Sequence, residues 1–131
     1  MDRDDIADAI EEMYRARATN DAARVFNLFA DGATFRIAGT SAISGTHCGR
    51  DIATALQAIV ANWRWVDHRI VSTAVEEDRA AIQYRVRLRH QPSGQVLETE
   101  ILDLVTFEDD GRIAMMEEFA DTAAVEKILS P

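Results

Sequence analysis

Asp110-Gly111-Arg112-Ile113-Ala114-Met115-Met116-Glu117-Glu118-Phe119-Ala120-Asp121 is the stretch whose reading decides the fold of this chain. An Asp-Gly pair is a tight-turn signal, and the residues behind it read as a strand over 112–120. Side chains alternate along a strand, so Met116 and Glu118 share one face. A register shift of one residue exchanges Glu118 with Glu117.

Upstream of that turn the same period of two persists, with strands at 95–108, 79–90 and 65–76. Glu77-Asp78, Pro92-Ser93-Gly94 and Asp109-Asp110-Gly111 separate them as turns. In the 79–90 strand, Ile82, Tyr84, Val86 and Leu88 alternate with Gln83, Arg85, Arg87 and Arg89. In the next, Thr99, Ile101, Asp103, Val105 and Phe107 alternate with Glu98, Glu100, Leu102, Leu104 and Thr106. The arginines and glutamates fit as cross-strand pairs on an outer face. That leaves Asp103 between Ile101 and Val105 on an apolar inner face, where desolvation raises a carboxyl pKa.

Before residue 65 the period is helical. Ile6, Ile10, Met13 and Tyr14 mark an amphipathic first helix. Asn20 or Asp21 caps a second, with Ala22, Val25, Phe26 and Phe29 on one stripe and Asp31-Gly32 ending it. Thr34 to Ala38 reads as a short strand and Gly39 to Gly49 as a loop. A third helix starts near Asp51 and carries Ile52, Ala55, Leu56, Ile59, Val60 and Trp63 at helical spacing. Trp63 and Trp65 read as a seal between that helix and the sheet, and 121–129 as a last helical turn or two. Three helices followed by an antiparallel meander make an α+β domain over 1–131.

Composition narrows the function classes. The net charge is −9 with a single lysine, Lys127, which disfavours nucleic acid and anionic membrane partners. No apolar run approaches the ~20 residues of a membrane span. Cys48 is alone, and Met1-Asp2-Arg3-Asp4-Asp5 is neither a signal nor a transit peptide, so the expected location is cytoplasmic. His47, His68 and His90 lack any short spacing for a metal site. The Gly39–Gly49 loop has no phosphate-binding pattern, and no cofactor is expected.

The closing strand, together with Ile10-Glu11-Glu12-Met13-Tyr14 and Val25-Phe26-Asn27-Leu28-Phe29-Ala30-Asp31, resembles the NTF2-like superfamily, in its SnoaL-like or ketosteroid-isomerase-like branch. The resemblance implies a cone, with three N-terminal helices packed in a strongly curved antiparallel sheet around a pocket. It puts Tyr14 and Asp103 where the isomerases keep their two oxyanion donors, the second an aspartic acid held neutral. Ile37 falls at or beside the position of their catalytic base and cannot take a proton; Glu118 is a substitute. The Asp-Arg-Asp set of limonene-epoxide-hydrolase-like members is broken, since Ile101 and Val105 flank Asp103 at two residues. Polyketide-cyclase-like and dehydratase members use histidine–carboxylate pairs, for which His47 and His68 are candidates. The implied catalytic set is Tyr14, Asp103, Glu118 and His68, and the pocket adds Phe35, Ile37, Tyr84, Val86, Leu88, Val105 and Met116. The implied function is a pocket protein for a small apolar molecule. It is either a cofactor-independent isomerase-, cyclase- or dehydratase-type catalyst on a polyketide-, steroid- or terpenoid-like compound, or a non-catalytic binding or structural module. A homodimer through the outer sheet face, with Leu102 and Leu104 among its charges, is expected in both.

Overall fold

A computed structural model describes residues 1–130. In chain order it comprises α1 (Arg3–Ala18), α2 (Ala22–Phe26), β1 (Phe29–Ile37), β2 (Gly45–Cys48), α3 (Asp51–Asn62), β3 (Trp63–Glu76), β4 (Arg79–His90), β5 (Val96–Phe107), β6 (Ile113–Phe119) and α4 (Thr122–Leu129). The six strands form one curved α+β sheet in the order β2-β1-β6-β5-β4-β3. Every neighbouring pair is antiparallel except β1 and β6, which run parallel.

Local chemistry sets the elements. Asp2 and Asp5 form a reciprocal capping box at the start of α1, which satisfies two otherwise orphaned N–H groups. The helix buries Ile6, Ile10, Met13 and Tyr14. It ends where Asn20 takes a positive φ of 57°, a conformation asparagine tolerates better than most residues. Asn20 then clamps the start of β3: its Oδ1 accepts from the Trp65 amide at 2.8 Å and its Nδ2 donates to the Trp65 carbonyl at 3.1 Å.

Two early segments differ from the sequence reading. The second helix stops at Phe26, and Phe29 opens β1 rather than extending a helical stripe. Asp31-Gly32 lies inside that strand, where the register against β6 shifts between Phe29 and Thr34 and Gly32 has φ 72°. The turn signal is real but is used as a bulge. Part of the Gly39–Gly49 loop is strand, since β2 pairs with Thr34–Ile37.

The long strands keep the expected faces. Ile82, Tyr84, Val86 and Leu88 are buried, each contributing about 1.5–3 kcal/mol of apolar burial at full exclusion from water. On the opposite face Arg85 reaches Glu100 at 2.6 Å and Arg87 reaches Asp67 at 3.5 Å. The inner row that matters runs across four strands: Ile37 of β1, Glu118 of β6, Asp103 of β5 and Ile82 of β4 are successive register partners. Glu118 therefore faces inward, while Glu117 points to the other side and pairs with Arg36 at 2.7 Å.

Candidate active site

Between the helices and the curved sheet lies a cavity of about 80 Å³. Its walls are mostly apolar and include Met13, Phe35, Ile37, Trp65, Leu88 and Met116; its polar members include Tyr14, Arg17, Tyr84, Asp103 and Glu118. Most of the sequence-derived pocket is thus brought together, with three exceptions. Val86 and Val105 are buried but stand outside the cavity wall, because the core closes over their rows. His68 is also outside it: a register shift between Trp65 and Asp67 turns the histidine inward on the flank of the sheet. There its ring lies 5.0 Å from Trp65 and 6.3 Å from Tyr14, behind the tyrosine rather than beside the cavity.

Asp103 is 0% exposed. The Tyr14 hydroxyl donates to its Oδ2 at 2.7 Å, so the tyrosine is the donor of this pair. No partner lies within hydrogen-bonding distance of its buried Oδ1. Burial, and then the negative charge of Glu118, push the Asp103 carboxyl well above the carboxylate range, against the opposing effect of the Tyr14 hydrogen bond. Glu118 is also raised by burial, but the Asp103 carboxyl and the Arg17 charge pull it back. The two carboxyls are register partners and titrate as a unit. Tyr14 and Tyr84 meet edge-on at 4.9 Å. Burial and the neighbouring Asp103 raise both phenols, which stay neutral.

Several wall residues lie outside the set expected from the sequence, among them Met13, Leu56, Trp65, Asp121 and, most notably for charge, Arg17. It follows Met13 by one helical turn and faces the same way. At the end of an acidic-to-basic helix, however, an arginine reads as a solvated complement to the helix dipole. Its Nη2 donates to the Trp63 carbonyl at 2.7 Å, its Nη1 to Asn20 Oδ1 at 3.1 Å, and its guanidinium lies 5.0 Å from the Trp65 ring centre. Burial lowers its pKa to about 10, opposed mainly by Glu118.

The remaining candidates are dispersed. His47 sits on β2 beside Phe35, at 6.3 Å between rings. His90 packs on Trp63 at 4.7 Å and bonds Ser93 Oγ through Nδ1 at 2.8 Å, bracing the β4–β5 turn. Cys48 is exposed. Among the described residues no three His, Cys, Asp or Glu side chains converge as a metal site, and no helix is long and apolar enough to cross a membrane.

The architecture recurs in solved structures. An NTF2-like protein from Burkholderia xenovorans is 16% identical, with 97% of each chain covered and a TM-score of 0.74. A protein from Jannaschia sp. CCS1, provisionally named a SnoaL-like polyketide cyclase, is 19% identical over 100% of this chain and 99% of that one, with a TM-score of 0.80. SalBIII, an epoxide hydrolase/cyclase-like enzyme of pyran ring formation in the polyether salinomycin, is 15% identical over 94% of this chain and 95% of that one, with a TM-score of 0.77. At these identities the likeness carries the fold alone. A search of curated proteins finds no match. The family profile described as the SnoaL-like domain matches residues 10–116, and the chain belongs to that family within the NTF2-like superfamily.

Proposed function

We propose that the protein is a cofactor-independent acid–base catalyst, of isomerase, cyclase or dehydratase type, acting on a small apolar carbonyl compound. The observation that carries this reading is the row Ile37–Glu118–Asp103. Two carboxyls are register partners on adjacent strands of an apolar cavity, one bound to Tyr14 and left with an unpartnered buried oxygen. In the neutral acid, Oδ1–H is a donor for a carbonyl oxygen that becomes an enolate, and the Tyr14 bond to Oδ2 orients and strengthens it. Glu118 takes the α-proton and returns it at another carbon or to a leaving hydroxyl. Ile37 pairs directly with Glu118, so the base lost from β1 is supplied one strand over. His68 has no role in this scheme.

The cavity volume of about 80 Å³ is small beside the roughly 300–1,000 Å³ of typical ligand sites. The reading therefore favours compact substrates; steroid- or polyketide-sized ones need the walls to move apart. We also propose a homodimer through the outer sheet face, where Leu102, Leu104, Met115 and Phe119 are 36–40% exposed. A non-catalytic binding module is the second reading, favoured by Ile37 in place of the family base.

Deuterium exchange at the α-carbons of a panel of small cyclic ketones and enones, followed by proton NMR, tests the assignment. The wild-type protein accelerates exchange, and Glu118→Gln reduces it about 10²–10⁴-fold. If panel members bind without accelerated exchange, the site passes to the non-catalytic reading.

A further inference from the structure

Tyr84 stands in the cavity wall with a hydroxyl to which the scheme above gives no task. It lies on the inner face of β4, two residues beyond Ile82, the register partner of Asp103. Tyr84 and Asp103 are therefore diagonal neighbours on adjacent strands, a separation within reach of an aromatic side chain. The ring is held in place, edge-on to Tyr14 at 4.9 Å and 5.4 Å from Trp65. Tyr84 is only 1% exposed, and a buried phenol ordinarily finds a hydrogen-bond partner. Here it has none among the described residues: Tyr14 is the donor to the Asp103 carboxyl, at Oδ2. The Tyr84 hydroxyl is near enough to Asp103 to favour its ionised form, but the geometry falls short of a hydrogen bond. Nor is the hydroxyl sealed into the packing, because Asp103 Oδ1 is the one buried side-chain nitrogen or oxygen closed off without a partner among the described residues. For a side chain so deeply buried, the space left open to its hydroxyl is the cavity it lines.

We propose that the Tyr84 hydroxyl is a second hydrogen-bond donor to the ligand's carbonyl oxygen, reaching it from β4 while Asp103 reaches it from β5. The proposal rests on the acid–base reading for the first donor, Asp103 Oδ1–H, and adds a catalytic residue to it. A carbonyl oxygen has two lone pairs and accepts from both groups at once. Each bond strengthens as the oxygen takes on enolate charge. Because the Tyr84 hydroxyl is tied to no protein group, it breaks no internal hydrogen bond when the ligand arrives, and its ring needs no reorganisation between Tyr14 and Trp65. Tyr14 keeps its own place behind Asp103, bonded to the oxygen that the ligand does not use.

The test is infrared spectroscopy of cyclohexenone, isotope-labelled at its carbonyl carbon and bound to the full chain. Every hydrogen bond to a carbonyl oxygen lowers its stretching frequency, so the bound band reports the donors directly. Tyr84→Phe moves that band to higher frequency than in the wild type and slows exchange of the enone's α-protons for deuterium about 10²–10³-fold. Without ligand the variant loses nothing: its urea midpoint equals or exceeds that of the wild type, because the hydroxyl removed has no partner. An unmoved band in Tyr84→Phe overturns the proposal, and continued catalysis of exchange then leaves the acid–base reading standing. A lowered urea midpoint, or a variant that does not fold, also overturns it, since the hydroxyl then serves a partner within the protein. A band that moves in Tyr84→Phe, with no acceleration of exchange by the wild type, removes the acid–base reading and supports Tyr84 as a donor to the ligand. A wild type that gives no bound band overturns the proposal whatever the exchange assay shows.

Discussion

Replacing Asp103 by asparagine should change how stability depends on pH more than stability itself. The amide has the shape of a neutral carboxylic acid. Its oxygen can still accept from Tyr14, and its N–H₂ takes the place of the unpartnered Oδ1. In the wild type the folded Asp103 carboxyl is held well above its ordinary range by burial and by Glu118. Between the unfolded pKa near 4 and the folded one, the native state holds a proton that the unfolded chain lacks. Stability therefore falls as pH rises, by about 1.4 kcal/mol per pH unit for one proton. Two pH units inside that window amount to about 2.7 kcal/mol, a large share of a small domain's stability. Asparagine has no such proton, so Asp103→Asn gains on the wild type at that rate as pH rises. Carboxylates other than Glu118, which is coupled to Asp103, contribute to both proteins and cancel in the difference. Urea unfolding at several pH values, followed by the fluorescence of Trp63 and Trp65, measures it. Parallel pH curves for the two proteins would refute the neutral-acid assignment. A slope that survives in Asp103→Asn and disappears in Glu118→Gln would place the proton on Glu118 instead.

Tyr14→Phe removes the 2.7 Å hydrogen bond and leaves both Asp103 oxygens without a partner, at a cost of about 1–3 kcal/mol. Because that bond favours the ionised carboxyl, its loss moves the pH-dependent window upward in the same urea series. Asn20→Ala forfeits the two Trp65 clamps and puts alanine at φ 57°. It should cost about 2–4 kcal/mol by urea unfolding, whereas Asn20→Asp, which keeps the acceptor, should cost less. Sedimentation at micromolar concentration should find a dimer, and Leu104→Arg on the outer face should shift it to monomer; a monomeric wild type would remove the interface.

The legible parts were those written in local periodicity. Alternation along 79–90 and 95–108 set which residues face inward, and Asp103 stood out because a carboxylate interrupted an apolar row. Glu118 was legible only up to its register, since a strand slip of one residue exchanges it with Glu117; pairing with β1, not local sequence, decides the matter. The bulge at Asp31-Gly32 was read as a helix stop because the same turn chemistry serves both. Arg17 stayed hidden for a different reason. Its burial depends on Trp63, Trp65 and Asn20 arriving from β3 and the α1–α2 turn, and no helical pattern records a tertiary partner. The irregular pairing that turns His68 inward against Trp65 and Tyr14 is likewise invisible in an alternating sequence.

The parallel pairing of β1 with β6 also dictates an order of events. Arg36 and its partner Glu117 are 81 residues apart, and β1 has no other neighbour on that side. A chain emerging from the ribosome must keep β1 with one bare edge until the last strand is synthesised. Closing so long a loop is slow relative to forming the local hairpins of β3, β4 and β5. The strand that completes the sheet is also the one that carries Glu118, so no folding intermediate lacking it possesses both carboxyls. The sheet and the carboxyl pair are completed in the same step, and a nascent chain halted before residue 112 has neither.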